Sequence, residues 1–312
     1  MLEPIVPFEP VSTNRIPKGD RWTAQVKWDG VRILTYYDGR DVRLFNRKRR
    51  ERTRHYPEFT QISSFCSARS VILDGEVIAL DADGKPSFHE VMRRDGIRRM
   101  DRVDRMRKVV PVTYMIFDVV YCNGEWVRHR NLSERMDILS AVITPCDRVQ
   151  LVHSHPEGAD LFKAVQQHQL EGIVVKDLNS KYEISGKDSR WQKIKNYRDI
   201  TAVVGGVTLR DGIVNAVLLG AFDAKGRLHY IGHAGTGKLT RGEWQTLTER
   251  IKPLIVTDRP FVNRPQRIKG AIWVKPEITV KVQFLEWTKG HTLRQPSIQA
   301  FVETSPEACV LT

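Results

Sequence analysis

The chain has 312 residues, 41% of them hydrophobic, enough for about two domains with sizeable cores, which excludes global disorder. Fifty Lys and Arg against 37 Asp and Glu give a net charge of +13, which points to a polyanionic partner, nucleic acid ahead of an anionic membrane surface. No apolar run approaches the roughly 18 residues of a membrane span, no secretory signal pattern opens the chain, and four scattered cysteines without a Cys-x-x-Cys pair exclude zinc-ribbon and disulfide-framework classes and fit a reducing cytoplasm.

In chain order, strand patterns run Trp22 to Lys27, Val31 to Tyr37, Val42 to Asn46, Val71 to Leu80, Val112 to Tyr121, Gly172 to Lys176 and Arg190 to Lys195. Helical patterns lie at Pro57 to Cys66, Leu132 to Ile143 and Glu157 to Gln169; Asn131 with Glu134 three residues on is a capping-box signature for the second. Neighbouring strands of this kind predict an α+β fold of mainly antiparallel sheets with helices outside, not a parallel doubly wound sheet. From Ile200 onward short strands at Ala202 to Leu209, Ile213 to Ala221, Leu228 to Gly232 and Ile278 to Trp287 surround one helix, Gly242 to Leu254, capped by Thr240 and Glu243. That texture predicts a small β-barrel of the OB type, giving domains 1–197 and 198–312 with a polar hinge at Asn196 to Asp199. Two basic runs stand out: Arg47 to Arg54 with six Lys/Arg, and Arg93 to Lys108 with eight. Met100, Val103 and Met106 let the second be an amphipathic helix with a solvated face, a reading weighed evenly against phosphate contact.

The chemistry gathers at strand ends. Lys27-Trp28-Asp29-Gly30-Val31-Arg32 closes the first strand, and one such lysine alone would be an ordinary solvated charge. It is followed by Arg47 after Phe45-Asn46, by Asp74-Gly75-Glu76, by Phe117-Asp118, by Glu171-Gly172-Ile173-Val174-Val175-Lys176 and by Trp191-Gln192-Lys193-Ile194-Lys195. Period-two alternation sends Lys193 and Lys195 to one face, where they repel unless an anion lies between them. Glu76 and Glu171 suit a metal ion or a ribose hydroxyl. A lysine attacks phosphorus only as the neutral amine, so neighbouring cations that lower its proton affinity would serve such chemistry and also stabilise phosphoryl charge.

The order Lys-x-Asp-Gly-x-Arg, Asp-Gly-Glu, Phe-Asp, Glu-Gly-x-Val-x-Lys, Trp-x-Lys-x-Lys resembles the covalent nucleotidyltransferases, and most of all the ligase module of bacterial end-joining, ATP-dependent DNA ligases. The likeness continues through Val203-Val204-Gly205-Gly206, Leu218-Leu219-Gly220, Trp273-Val274-Lys275-Pro276-Glu277 and Leu293-Arg294-Gln295-Pro296-Ser297, which resemble that family's OB domain, so it covers nearly the whole chain. The resemblance implies an adenylation domain at 1–197, an OB-fold domain at 198–312, and sealing of nicks between a 5′-phosphate and a 3′-hydroxyl. It makes Lys27 the residue that carries AMP from ATP, with Lys193 and Lys195 on the α-phosphate. Asp29, Arg32 and Glu76 would surround the ribose, Phe117 would stack on the adenine, Gln25 would accept from the adenine amine, and Arg47 would contact phosphate or the nick. Glu171, with Glu76, would hold Mg²⁺ or Mn²⁺. Expected partners are nicked double-stranded DNA and a DNA-end-binding clamp protein, with no membrane, a monomeric state and a bacterial cytoplasmic setting. The alternatives are an RNA ligase or a degenerate relative that only seals pre-adenylylated nicks.

The sequence departs from the family at three places. Gln25 stands where an acid is usual, Arg47 is followed by Lys48-Arg49 instead of Asn-Gly, and Val302 and Ser305 replace an Arg and a Lys expected to orient pyrophosphate, a task open to Lys275, Lys281 or Lys289. Gly232 to Lys238 also matches the Gly-x4-Gly-Lys phosphate loop, but Leu239 follows where Ser or Thr would hold magnesium, so a glycine-rich turn is preferred. His153 and His155 could share a strand face as metal ligands; without an acid or cysteine at ligand spacing, a surface strand is the better reading.

Overall fold

A computed structural model describes residues 2–235, 237–266 and 268–311, and the chain divides into two compact units between Asn196 and Tyr197. The first unit contains strands β1 (Glu9–Ser12), β2 (Trp22–Val26), β3 (Val31–Tyr37), β4 (Val42–Asn46), β5 (Val71–Ile78), β6 (Thr113–Cys122), β7 (Glu125–Trp126), β8 (Val149–Leu151), β9 (Gly172–Asp177) and β10 (Lys187–Lys195). Its helices are α1 (Phe88–Asp95), α2 (Val103–Val109), α3 (Leu132–Val142) and α4 (Gly158–Gln167). One sheet has the order β1-β10-β9-β2; the other has β4-β3-β5-β6-β7, with β8 beside β6. All ladders are antiparallel except β1 with β10 and β8 with β6.

Strand alternation sets the layers. Ala24, Ile173, Val175 and Ile194 of the first sheet pack with Leu161 and Val165 of α4. Leu34, Tyr36, Ile72 and Val120 of the second sheet meet Phe8, Tyr182 and Trp191 between the sheets. The second sheet's outer face, with Ile33, Leu73, Val77 and Ile116, is covered by Val91, Leu139 and the loop residues Phe59 and Phe65. The result is helix, sheet, sheet, helix.

The helix expected over Pro57 to Cys66 is instead two short 3₁₀ turns, Pro57–Phe59 and Ile62–Ser64. The hydroxyls of Thr60 and Ser64 donate to the carbonyls of Pro57 and Gln61, at 2.8 and 2.7 Å, and compete with continued helical bonding. The run Arg93 to Lys108 is not one helix either: α1 ends at Asp95, Gly96 follows, and α2 begins only at Val103 after a 3₁₀ turn. The capping box at α3 forms as its sequence predicts, Asn131 N–H donating to Glu134 at 2.8 Å.

The second unit holds β11 (Arg198–Arg210), β12 (Ile213–Phe222), β13 (Leu228–Ala234), α5 (Arg241–Ile251), β14 (Ile255–Val256), β15 (Ile272–Val274), β16 (Thr279–Phe284) and β17 (Ser297–Val302). The long β11 forks: its first half pairs with β16 and its second with β15, while its other edge carries β12 and then β13. Leu247 and Ile251 of α5 plug the core formed by Val204, Val217, Leu219, Val280 and Ile298. Among the described residues the ladders form a bent sheet and not a closed barrel; one bridge, Gly237 to Ile298, stands between its ends. The same seam disposes of the phosphate-loop match. Lys238 N–H donates to the Ile298 carbonyl at 2.8 Å and Leu239 packs on the core, so the loop's backbone is spent on the sheet seam and the position that would carry a magnesium-binding hydroxyl is an apolar core residue. Thr236 of that motif lies outside the described residues.

Candidate active site

Lys27 lies just beyond β2, and its backbone N–H donates to Gly172 O at 2.9 Å, tying the start of Lys-x-Asp-Gly-x-Arg to the start of β9. Two glycines make this convergence sterically feasible. A Cβ on Gly30 would stand 2.2 Å from the Val77 carbonyl oxygen, and one on Gly172, with φ +153°, would stand 2.2 Å from that of Ile194. Glu171 is thereby brought against the lysines: Lys27 Nζ donates to its Oε2 at 2.5 Å, and Lys195 Nζ lies 3.5 Å from its Oε1. The Glu171 side chain is only 6% exposed, so this bridge sits in a largely desolvated place.

Lys193 shares the Lys195 face of β10, opposite Ile194. Burial, with Lys27 and Lys195 next, pulls Lys193 below the usual lysine range. Glu171 thus supplies an anion to Lys27 and Lys195, whereas the carboxylate felt by Lys193 is that of Glu9. Glu76 faces Arg32 across the β3–β5 register, and burial pushes it up to about 8 against the pull of Lys27 and Arg32, with Glu171 and Asp29 nearby as like charges. Lys27, Asp29, Arg32, Glu76, Glu171, Lys193 and Lys195 therefore form one electrostatic group.

The other expected residues are placed around it. Gln25 is buried two residues before Lys27, its amide nitrogen donating to Ser154 Oγ at 3.0 Å, which leaves the carbonyl oxygen as its acceptor. Arg47 lies at the end of β4 with Nη1 3.4 Å from Glu9 Oε1, and Glu9 is also among the charges felt by Lys193. Phe117 has the Arg32 guanidinium 5.3 Å and the Lys176 ammonium 4.4 Å from its ring centroid. His155 uses its backbone to bridge Ala24, and the described residues contain no group of three His, Cys, Asp or Glu able to hold a metal. Two carboxylates, Glu76 and Glu171, lie near enough for each to feel the other's charge; a pair of this kind suits Mg²⁺, which keeps waters and completes its shell with substrate phosphates.

Sequence reasoning missed the layer behind the site. Asp74 accepts from Arg32 Nε at 2.9 Å and Nη2 at 2.6 Å, and from Tyr182 Oη at 2.6 Å. Asp118 accepts from Arg135 at 2.7 and 2.9 Å, and Arg135 also donates to the carbonyls of Arg130 and Ser180. Arg135 and both carboxylates are fully buried. Lys176 is the odd cation: it is 2% exposed, and its Nζ has no hydrogen-bond partner among the described residues. That Nζ lies between Phe117 and Trp191, 4.1 Å from the latter's ring. The available signal was its place as the last residue of Glu-Gly-x-Val-x-Lys, a charge ending an apolar strand.

Burial pulls Lys176 down to about 7, against the pull of Asp118 and Asp74. Between pH 7 and 10.5 the unfolded lysine is protonated and the folded one is not, so the unfolded state binds more protons and stability rises with pH. The penalty is complete below pH 7 and vanishes above 10.5. Urea unfolding of the wild type and Lys176→Met at pH 6 and pH 10 checks this: the wild type should gain on the order of 4 kcal/mol relative to the variant at the higher pH. A difference between the two that stays constant with pH would refute it.

Comparison with known proteins matches one family model within each unit. Residues 9–195 match the family model described as the ATP dependent DNA ligase domain, and residues 210–303 match that of the ATP dependent DNA ligase C terminal region. The multifunctional non-homologous end joining protein LigD of Mycobacterium bovis is 30% identical over 286 residues, covering 90% of this chain and 36% of the relative. A probable DNA ligase of Anaeromyxobacter is 32% identical over 301 residues, covering 91% of this chain and 55% of that one. The crystal structure of the ligase domain from M. tuberculosis LigD is 27% identical with a TM-score of 0.54, covering 99% of this chain and 98% of that domain. The chain spans about a third of the length of the LigD relatives it matches.

Proposed function

The chain belongs to the ATP-dependent DNA ligase family, and from that premise we propose that it seals 5′-phosphate/3′-hydroxyl nicks in double-stranded DNA through an AMP-lysine at Lys27. The observation that carries this reading is the Lys27–Glu171–Lys195 bridge beside Lys193, a nucleophile, a carboxylate and two further cations at one strand edge. In this reading Glu171, whose Oε2 accepts from Lys27 Nζ at 2.5 Å, takes the Lys27 proton and leaves the neutral amine.

Three displacements at phosphorus account for the reaction. First, Lys27 Nζ forms a bond to the α-phosphorus of ATP and the bond to pyrophosphate breaks, with Lys193 and Lys195 positioned for the phosphoryl oxygens. Next, the 5′-phosphate of the nick attacks that phosphorus, the P–N bond breaks, and Lys27 recovers a proton. Finally, the 3′-hydroxyl loses its proton and attacks the 5′-phosphorus, forming the phosphodiester and releasing AMP. Gln25 and Phe117 serve adenine, Asp29, Arg32 and Glu76 the ribose, and Arg47 the nick. When bound, Mg²⁺ or Mn²⁺ supplies Lewis-acid charge, held by Glu76 and Glu171. We assign 1–197 to adenylation and 198–312 to an OB-like domain, with the stretch Asn196 to Asp199 as hinge. The proposed setting is end joining in a bacterial cytoplasm, as a monomer alongside a DNA-end-binding clamp; the four cysteines, all free, fit a reducing compartment.

Incubation with Mg²⁺ and α-labelled ATP should leave denaturation-resistant label on the wild type and none on Lys27→Ala. Addition of nicked DNA should then chase the label into the DNA and seal it. Equal label on both proteins would move the nucleophile elsewhere; none on either, once AMP carried through purification is excluded, would refute self-adenylylation.

A further inference from the structure

The two basic runs, about 40 residues apart in sequence, are brought together in the structure by specific ties. Arg52 donates to Asp95 at 2.9 Å, His55 Nε2 lies 3.1 Å from Ile97 O, and fully buried Arg94 donates to His55 O at 2.7 Å while pairing with Glu58 at 3.0 Å. Burying an arginine to hold two like-charged segments side by side works against their repulsion, so the arrangement is held by specific bonds rather than left to solvation.

What the ties leave outward is cationic. Lys48, Arg49, Arg50 and Arg54 of the first run, and Arg98, Arg102, Arg105 and Lys108 of the second, are exposed and have no side-chain partner among the described residues. The intervening acids are engaged: Asp101 with Arg99 at 2.9 Å, Asp104 with Arg107 at 3.5 Å, and Glu51 accepting from Thr53 at 2.8 Å.

Sheet register says where this surface stands. Val31 pairs with Val77 and Ile33 with Asn46, so the start of β3, the end of β4 and the end of β5 share one edge. The Lys27–Arg32 loop enters at that edge, the Arg47 turn leaves from it, and the β5–β6 crossover that carries α1 and α2 leaves from it as well. Resting on the ligase reading above, we propose that the joined face is the track for duplex phosphates beyond the nick, with Arg47 at its active-site end. Its chemistry suits a regularly spaced polyanion: several exposed cations, with counterion release as the driving force.

Two variants of the full chain test this, Arg98→Ala/Arg102→Ala/Arg105→Ala/Lys108→Ala and Lys48→Ala/Arg50→Ala/Arg54→Ala, with melting curves as the folding control. Fluorescence anisotropy with a labelled nicked duplex over a salt series gives Kd and the slope of log K against log salt. Each variant should lose more than about ten-fold in affinity at low salt, and its slope should fall by about 0.9 for each phosphate contact removed. Self-adenylylation without DNA should match the wild type in both. Unchanged affinity and slope, as expected if the face serves an acidic protein instead, would overturn the track. An inactive wild type would instead refute the ligase reading, while the binding slopes would still decide the location of the track.

Discussion

Replacing Glu171 with alanine lowers the rate of AMP attachment to Lys27 by about 100-fold or more, as expected when a general base and a counter-charge are removed together. The carboxylate holds Lys27 at 2.5 Å and faces Lys195 at 3.5 Å, with Lys193 alongside. Without it three ammonium groups face one another, and unit charges 4 Å apart in such a setting repel by roughly 4 kcal/mol. Lys27 would leave its position before any question of proton transfer arose. Glu171→Gln keeps a hydrogen-bond acceptor without the charge, so it should fall between the two. Single-turnover label formation from ATP reads this directly. Sealing of a synthetic pre-adenylylated nick needs no AMP on Lys27 and should survive in Glu171→Ala much better than labelling does. Equal losses in both assays would show that Glu171 supports the phosphate site at large and not the nucleophile.

The residues of the Lys27 cluster were legible because most lie at or near a strand end within a short motif, and alternation fixed their faces. Lys193 and Lys195 on one side of β10 is such a case. Local signals also found the capped helices α3 and α5. What stayed hidden was non-local. Strand β1, Glu-Pro-Val-Ser, is four residues long, contains Pro10 and pairs with β10 nearly 180 residues later, so no periodicity announces it. The helical pattern at Pro57 to Cys66 lost to hydroxyl-to-backbone bonds. The motif also did not reveal that Glu171 bridges Lys27 and Lys195, a pairing that requires β2, β9 and β10 to be side by side. The forking of β11, which pairs with β16 along its first half and β15 along its second, is likewise set by partners far along the chain.

Asp118→Ala is expected to destabilise the first unit by about 3–5 kcal/mol, the cost typical of removing one partner from a buried ion pair. Arg135 would be left fully buried with its carbonyl contacts to Arg130 and Ser180 but no counter-charge. A unit of this size loses roughly 2–4 °C of melting temperature for each kcal/mol, so a fall of about 10 °C should be visible by calorimetry. The double variant Asp118→Leu/Arg135→Met removes both charges and should recover much of the loss, since the penalty belongs to the unpaired guanidinium more than to the missing attraction. The chemistry should follow a different order. Asp118 directly succeeds Phe117, and its partner Arg135 lies 5.8 Å from the ring of Tyr182, which in turn donates to Asp74 beneath Arg32. A double variant that regains stability but keeps a raised KM for ATP would show that this buried layer positions the adenosine-facing residues. Recovery of both together would make the pair a device of stability alone.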